Sequence, residues 1–385
     1  MDRLDKKRIL LLLGLSGFVV LADNWVVSPI LPTIAADIGI SIPVAAQIIT
    51  AYMIPFALFQ LVFGFLADRF GKFRVINLSM LFFTLGSALC AIAAGITDLF
   101  IYRALTGLFA AAVMPVSMAL IGDLFPVPER PAALGTFLGM SFLGQGLSMA
   151  IGGSIAYFIS WRGVFAAYAV FAAGVTILLF RAGLAIPRIT NPQVKFSKAY
   201  RRILQNSSSL KIYLLIFFEG VLLTGSFSFL GAYLEQQFAL NNFLIGLVMT
   251  AFGVMAIAGG RISGRISARV GRKLTIVSGL VIALVADLIF ANEGISLGLV
   301  VVAVGLLGLG MLTAHSTFLT IATEFAAEFR GVAMSLVAFS IMIGGGIGTF
   351  AGGRIVAATG LVSMFQLYAA GLVLLIAAVL VNKKY

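Results

Sequence analysis

Gly64-Phe65-Leu66-Ala67-Asp68-Arg69-Phe70-Gly71-Lys72-Phe73-Arg74 is a short basic stretch between two long apolar runs, and part of it returns 200 positions later. Gly64, Arg69 and Gly71 recur as Gly264, Arg269 and Gly271. Further along, Arg130, Gly144, Gly146, Gly152 and Gly153 recur as Arg330, Gly344, Gly346, Gly352 and Gly353. One register held over a loop and a distant glycine run is more than glycine-rich composition yields, so the chain reads as two copies of one unit. Within the stretch, Gly64 admits a neighbouring helix, Gly71 permits a tight turn, and Asp68 suits the positive end of a helix.

The surroundings set the solvent. Of 385 residues 61% are hydrophobic and 10% charged, with a mean hydropathy of +1.12. A soluble domain carries about 25% charged residues. Apolar runs long enough to cross ~30 Å of hydrocarbon are expected at 9–31, 44–66, 75–95, 99–122, 132–157, 163–181, 211–233, 243–263, 274–291, 297–322, 332–358 and 364–381. This is an all-α membrane protein of twelve spans.

The net charge of +12 is topological. With the N-terminus inside, every lysine and arginine except Arg103, Arg162 and Arg354 falls at cytoplasmic segments or span ends, which fixes N-in and C-in. Nothing in this pattern calls for nucleic acid. Lys6-Lys7-Arg8 precedes an apolar run that continues through Trp25 to Pro32, so a retained first helix is expected rather than a cleaved leader. Cys90, the single cysteine, can form no internal disulfide.

The polar stretch from Ala182 to Leu210, with Pro187, Pro192 and Ser207-Ser208-Ser209, reads as a cytoplasmic linker. The division is therefore 1–182, a linker over 183–210, and 211–385, two six-helix bundles with a substrate path at their interface. All ten prolines lie at or before Pro192. Pro55 and Pro115 are expected to kink first-half spans, and the second half to bend at Gly308, Gly310 and Gly344-Gly345-Gly346.

The stretch from Gly64 to Arg74 resembles the loop signature of the major facilitator superfamily, a likeness that extends over essentially the whole chain. It implies that Asp68 engages the start of the eleventh span near Val332 and that Arg69 engages Asp123 at the end of the fourth. Arg269 repeats Arg69, but Ala268 stands where the second acid would be, implying a weaker lock in the second half. Arg103-Ala104-Leu105-Thr106-Gly107 is similar to the family's Arg-x-x-x-Gly element. Gly139, Gly144, Gly146 and Gly152-Gly153 resemble the glycine-rich fifth helix of antiporter members, although Ser148-Met149 replaces its usual Gly-Pro. Trp161-Arg162-Gly163-Val164-Phe165, and Asp23 followed by Leu31-Pro32, resemble drug-efflux relatives. The resemblance implies the major facilitator fold, with helices one, four, seven and ten lining the cavity.

Ionisable groups inside spans are costly and normally face a cavity or a partner. They are Asp23, Arg103, Glu219, Asp287 and His315. At ~1.5 Å per residue, Asp23 lies ~13 Å from the outer end and Arg103 ~6 Å, so the two can pair. Glu219 and His315 share a depth of ~12 Å from the cytoplasmic side, which makes a contact between them a candidate. Asp287, toward the outer edge of a peripheral helix, is expected to snorkel. Asp23, Glu219, Arg103 and His315 are the candidate proton-coupling residues. Gly64, Asp68, Arg69, Gly71, Asp123 and Arg269 are the candidate conformational lock.

Thirty-three Phe and thirteen Met supply adaptable apolar walls. No Gly-x-x-x-x-Gly-Lys-Ser/Thr run is present, so no nucleotide is expected. One histidine and one cysteine make no metal site, and no cofactor or catalytic set is expected. The expectation is a monomeric, proton-coupled exporter of lipophilic drugs or small metabolites in the inner membrane. An uptake symporter or a lipid flippase of the same fold stays open.

Overall fold

The computed structural model describes residues 3–126, 128–183, 200–201, 203, 205–325 and 330–381, so most of the expected linker lies outside the described residues. Among the described residues, twelve helices are long and apolar enough to cross a membrane. They are α1 (Lys6–Trp25), α2 (Ile42–Phe70), α3 (Lys72–Ala91), α4 (Ile96–Leu124), α5 (Ala132–Phe158) and α6 (Trp161–Ala182). The second set is α7 (Ser207–Phe238), α8 (Asn242–Val270), α9 (Arg272–Phe290), α10 (Leu297–Ala322), α11 (Val332–Thr359) and α12 (Leu361–Val381). A short helix, Val27–Ile38, continues α1 outward.

Several helices overrun the hydropathy windows because helical hydrogen bonding continues into the headgroup layer. Gly64 to Phe70 is accordingly the end of α2 rather than loop, and Gly71 alone makes the turn into α3. Gly71 has φ 95° and its repeat Gly271 φ 84°, backbone that L side chains rarely adopt. The proline expectation holds in part. Helix α4 is interrupted at Ala111 and Ala112, where Pro115 has no N–H to offer the carbonyl of Ala111. At Pro55 the helix runs on.

In the second half the expected glycine bends do not break the chain: α10 and α11 are continuous helices. Their glycines serve packing instead. A Cβ on Gly308 would lie 2.2 Å from the carbonyl oxygen of Phe252, and one on Gly344 would lie 2.1 Å from that of Phe217. The irregularity falls on α7, which holds a π-turn, Gly220–Thr224, and an interruption at Phe229.

The two-fold repeat reaches single contacts. Tyr168 donates to the Ser148 carbonyl at 3.3 Å, and Tyr368 donates to the Gly348 carbonyl at 2.5 Å. Gly107 packs on the Tyr52 carbonyl as Gly308 does on that of Phe252.

The bundles meet across their outer halves. Ser28 donates to Phe227 O at 2.8 Å, Thr33 and Asn242 are 2.7 Å apart, and Thr50 donates to Gly346 O at 3.1 Å. Helices α5 and α8 cross at Gly153 on Gly246 and at Gly146 on Gly253. Trp25 closes the middle of this seam, 4.6 Å from the Phe227 ring and stacked 5.3 Å from Phe252. Toward the cytoplasm, Gly139 on α5 and Gly260 and Gly264 on α8 have open space beside them. Among the described residues, the hydrogen bonds between the two bundles lie in their outer halves.

This seam makes a prediction. A Cβ on Gly253 would sit 2.4 Å from Gly146 Cα, so Gly253→Leu forces α5 and α8 apart. Overpacking of this kind costs about 1–3 kcal/mol. Maleimide labelling of a Ser28→Cys reporter, slow in the parent, should accelerate in the Gly253→Leu background.

Candidate functional site

The first-half charges meet in the bundle core. Arg103 on α4 places Nη1 2.5 Å from Asp23 Oδ2, with both side chains fully buried. Its Nη2 donates to the Asp23 carbonyl at 3.4 Å, and Ser87 on α3 donates to Oδ1 at 3.3 Å. The guanidinium lies 4.3 Å from the Tyr52 ring centroid and 5.6 Å from that of Phe165. A low-dielectric surround strengthens this pairing and makes its rupture expensive. Gly107, one turn along α4, packs on the Tyr52 backbone and thereby sets the ring over which Arg103 lies.

The second-half pair lies on the open side. His315 Nδ1 on α10 is 3.1 Å from Glu219 Oε2 on α7. Glu219 is fully buried while the histidine side chain is 20% exposed. Glu219 Oε1 has no hydrogen-bond partner among the described residues. The π-turn begins at the next residue, Gly220. π-turns within helices occur frequently at functional sites.

The cytoplasmic turn departs from the expected lock. The cation on Asp123 is Lys72, at 2.5 Å, which also reaches Asp68 at 3.7 Å. Arg69 is exposed and lies over the Phe70 ring, because α2 continues past it and the Gly71 turn delivers Lys72 to the end of α4. The segment leading into α11, which the resemblance assigns to Asp68, lies partly outside the described residues. The second half keeps the equivalent contact despite Ala268: Arg272 forms a two-pronged bridge to Glu324, with Nη2 at 2.7 Å from Oε1. Gly64 is half-buried on α2, Gly71 forms the turn, and Arg269 is exposed at the end of α8.

Asp287 overturns its expectation. It does not snorkel: it is fully buried and accepts a 2.6 Å hydrogen bond from Ser226. Helix α9 turns this residue toward α7 and α12, which periodicity alone could not orient. The Trp25–Phe227–Phe252 seam was also missed, since aromatic residues are so frequent here that three of them carry no signal. At the outer rim Arg162 meets Asp37 at 2.6 Å and Trp161 donates to the same carboxylate at 3.0 Å. These donors, Arg162 first, hold the Asp37 carboxyl below its ordinary range.

Two bundles closed at one end, with paired charges on the interior helices, are a transporter's geometry. The family model described as Major Facilitator Superfamily matches residues 13–231 and 212–384. The chain belongs to the Major Facilitator Superfamily. It is a multi-pass membrane transporter and not an enzyme. It is 28% identical over 279 residues to the uncharacterized MFS-type transporter YceJ of Bacillus subtilis (strain 168), 69% of this chain and 68% of that protein. With the multidrug transporter protein MdtP of the same organism it shares 24% identity over 405 residues, covering 89% of this chain and 74% of MdtP. Against some other resistance proteins the match covers less than a third of their length. A bacterial homolog of the human lysosomal transporter Spinster, solved inward-facing and unoccupied, superimposes with a TM-score of 0.76 at 18% identity, covering 99% and 95% of the two chains. That likeness concerns the fold.

Removing one partner from a buried ion pair costs about 3–5 kcal/mol, whereas neutralising both costs far less. Arg103→Ala should therefore lower the thermal midpoint of the purified transporter well below that of the double variant Asp23→Asn/Arg103→Gln. At the cytoplasmic turn, Lys72→Ala should slow transport more than Arg69→Ala, as measured by initial rates in proteoliposomes.

Proposed function

We propose that this transporter is a proton-coupled exporter of lipophilic drugs or small metabolites, working by alternating access as a monomer in the inner (plasma) membrane. The observation that carries the reading is the Glu219–His315 contact, which joins a fully buried carboxyl to an imidazole partly exposed on the open side. An imidazole has two nitrogens and can both accept and give a proton. His315 can exchange a proton with the cytoplasmic vestibule while Glu219 holds one inside the protein.

Asp23 and Arg103 supply a second coupling element. In the inward-open arrangement the arginine neutralises the acid. A substrate or helix movement that draws the guanidinium away leaves a carboxylate in apolar surroundings, where the neutral acid is the favoured form. Proton uptake by Asp23 would then accompany that movement, and its return to Arg103 would expel the proton. Lys72–Asp68–Asp123 and Arg272–Glu324 would brace the cytoplasmic ends of each bundle as they rock. The likeness to the multidrug transporter protein MdtP supports drugs as the substrate class.

The test uses proteoliposomes with an imposed pH difference and a lipophilic cationic dye as the transported probe. Asp23→Asn should abolish accumulation of the dye against its gradient while leaving dye binding measurable. Continued uphill transport by that variant would remove Asp23 from the coupling mechanism. Glu219→Gln and His315→Ala should each alter the pH–rate profile, and the double variant should resemble a single one, since touching groups are not additive. Strictly additive effects would reduce this contact to helix packing.

A further inference from the structure

Asp287 belongs to neither candidate site, yet it is a fully buried carboxyl in the C-terminal bundle. Its position repeats Ser87, the serine that donates to Asp23 in the first half. The two clusters are transposed. In the first, the acid is on the first helix of the bundle and the serine on the third; in the second, Ser226 is on the first and Asp287 on the third. The aromatic framework is kept, with Phe165 and Tyr168 repeated as Phe365 and Tyr368. The cation is not: Arg103 is repeated as Ala303.

The surroundings of Asp287 contain no compensating charge among the described residues. From α7 it meets Ser226, which satisfies Oδ1, while Oδ2 has no partner. From α12 the facing titratable group is the Tyr368 hydroxyl, itself committed to the Gly348 carbonyl. On α8, Arg261, Arg265 and Arg269 lie toward the cytoplasmic end, and on α10 so do His315 and Glu324. Asp287 is three residues from the opposite end of α9. At the end of α9, three residues on, Phe290 forms an aromatic cluster with Tyr233 and Phe365, with ring centroids 5.2–5.6 Å apart. An anion here would have one serine hydroxyl and no cation. A proton on the carboxyl removes the charge, and Ser226 then binds the neutral acid.

We propose that Asp287 is a further proton-binding site, loaded in the inward-open arrangement and independent of the Asp23–Arg103 and Glu219–His315 pairs. Its donor lies on the helix that forms the outer contact, where Gly231 packs on the Ser28 carbonyl. Outward opening would therefore disturb the group that holds the loaded acid.

The test is infrared spectroscopy of the full chain in lipid nanodiscs at neutral pH, read at the C=O stretch of protonated carboxyls. Asp287→Asn should lose one carboxyl's share of that band. Ser226→Ala retains the acid but removes its hydrogen bond, so it should move the band to higher frequency without loss of area. Both results should persist in an Asp23→Asn background, which separates this site from the proposed coupling pair. An Asp287→Asn spectrum with an undiminished band, or a Ser226→Ala spectrum with an unmoved one, overturns the proposal. Should Asp287→Asn fail to fold, the Ser226→Ala shift decides alone.

Discussion

Two apolar helices in a bilayer gain little by exchanging lipid for each other, so their association depends on how closely their backbones approach. This protein meets that constraint with glycines set against carbonyl oxygens. Gly107 on Tyr52, Gly144 on Phe18, Gly308 on Phe252 and Gly344 on Phe217 repeat the device within each bundle. Gly146 on Gly253 and Gly153 on Gly246 extend it across the seam. Everything else is arranged around these approaches: the Tyr52 ring that Arg103 needs, the closed outer half, and the open inner one.

The repeat is faithful where it concerns shape and loose where it concerns charge. The same tyrosine binds the same carbonyl in both halves, and the same turn position carries a cation bound to the acid ending the fourth helix of the bundle. The buried charges follow no such copy. The first bundle pairs an acid with an arginine deep in its core, and the second pairs one with a histidine that is partly exposed. A symmetric scaffold thus carries electrostatically unequal halves.

Much of this was legible in the chain. Run lengths fixed the twelve spans, basic residues fixed their direction, and the rarity of charge in hydrocarbon singled out Asp23, Arg103, Glu219 and His315 before any contact was known. Depth counting anticipated both contacts because rise per residue is constant. What stayed hidden depends on rotation about helix axes. Asp287 seemed to belong to a lipid-facing helix, and Arg69 seemed better placed than Lys72 to reach Asp123. A difference of a few residues around a turn decides both, and with apolar residues on every face the helix offers no amphipathic stripe to set that angle. The glycines were ambiguous for a related reason: a residue that permits a bend also permits a close approach, and the approaches show only with the partner in place.

The π-turn at Gly220–Thr224 stores one residue more than an α-helix of the same length would hold. Relaxing it would push the outer part of α7 outward by about 1.5 Å and swivel it by roughly 100° relative to the inner part. Glu219, on the near side, would keep its grip on His315. Ser226, Phe227 and Gly231, on the far side, would swing off Asp287, Trp25 and Ser28 together. A ratchet with one spare tooth would behave so: a single click would leave the Glu219–His315 contact standing and release the contacts that α7 makes across the outer seam.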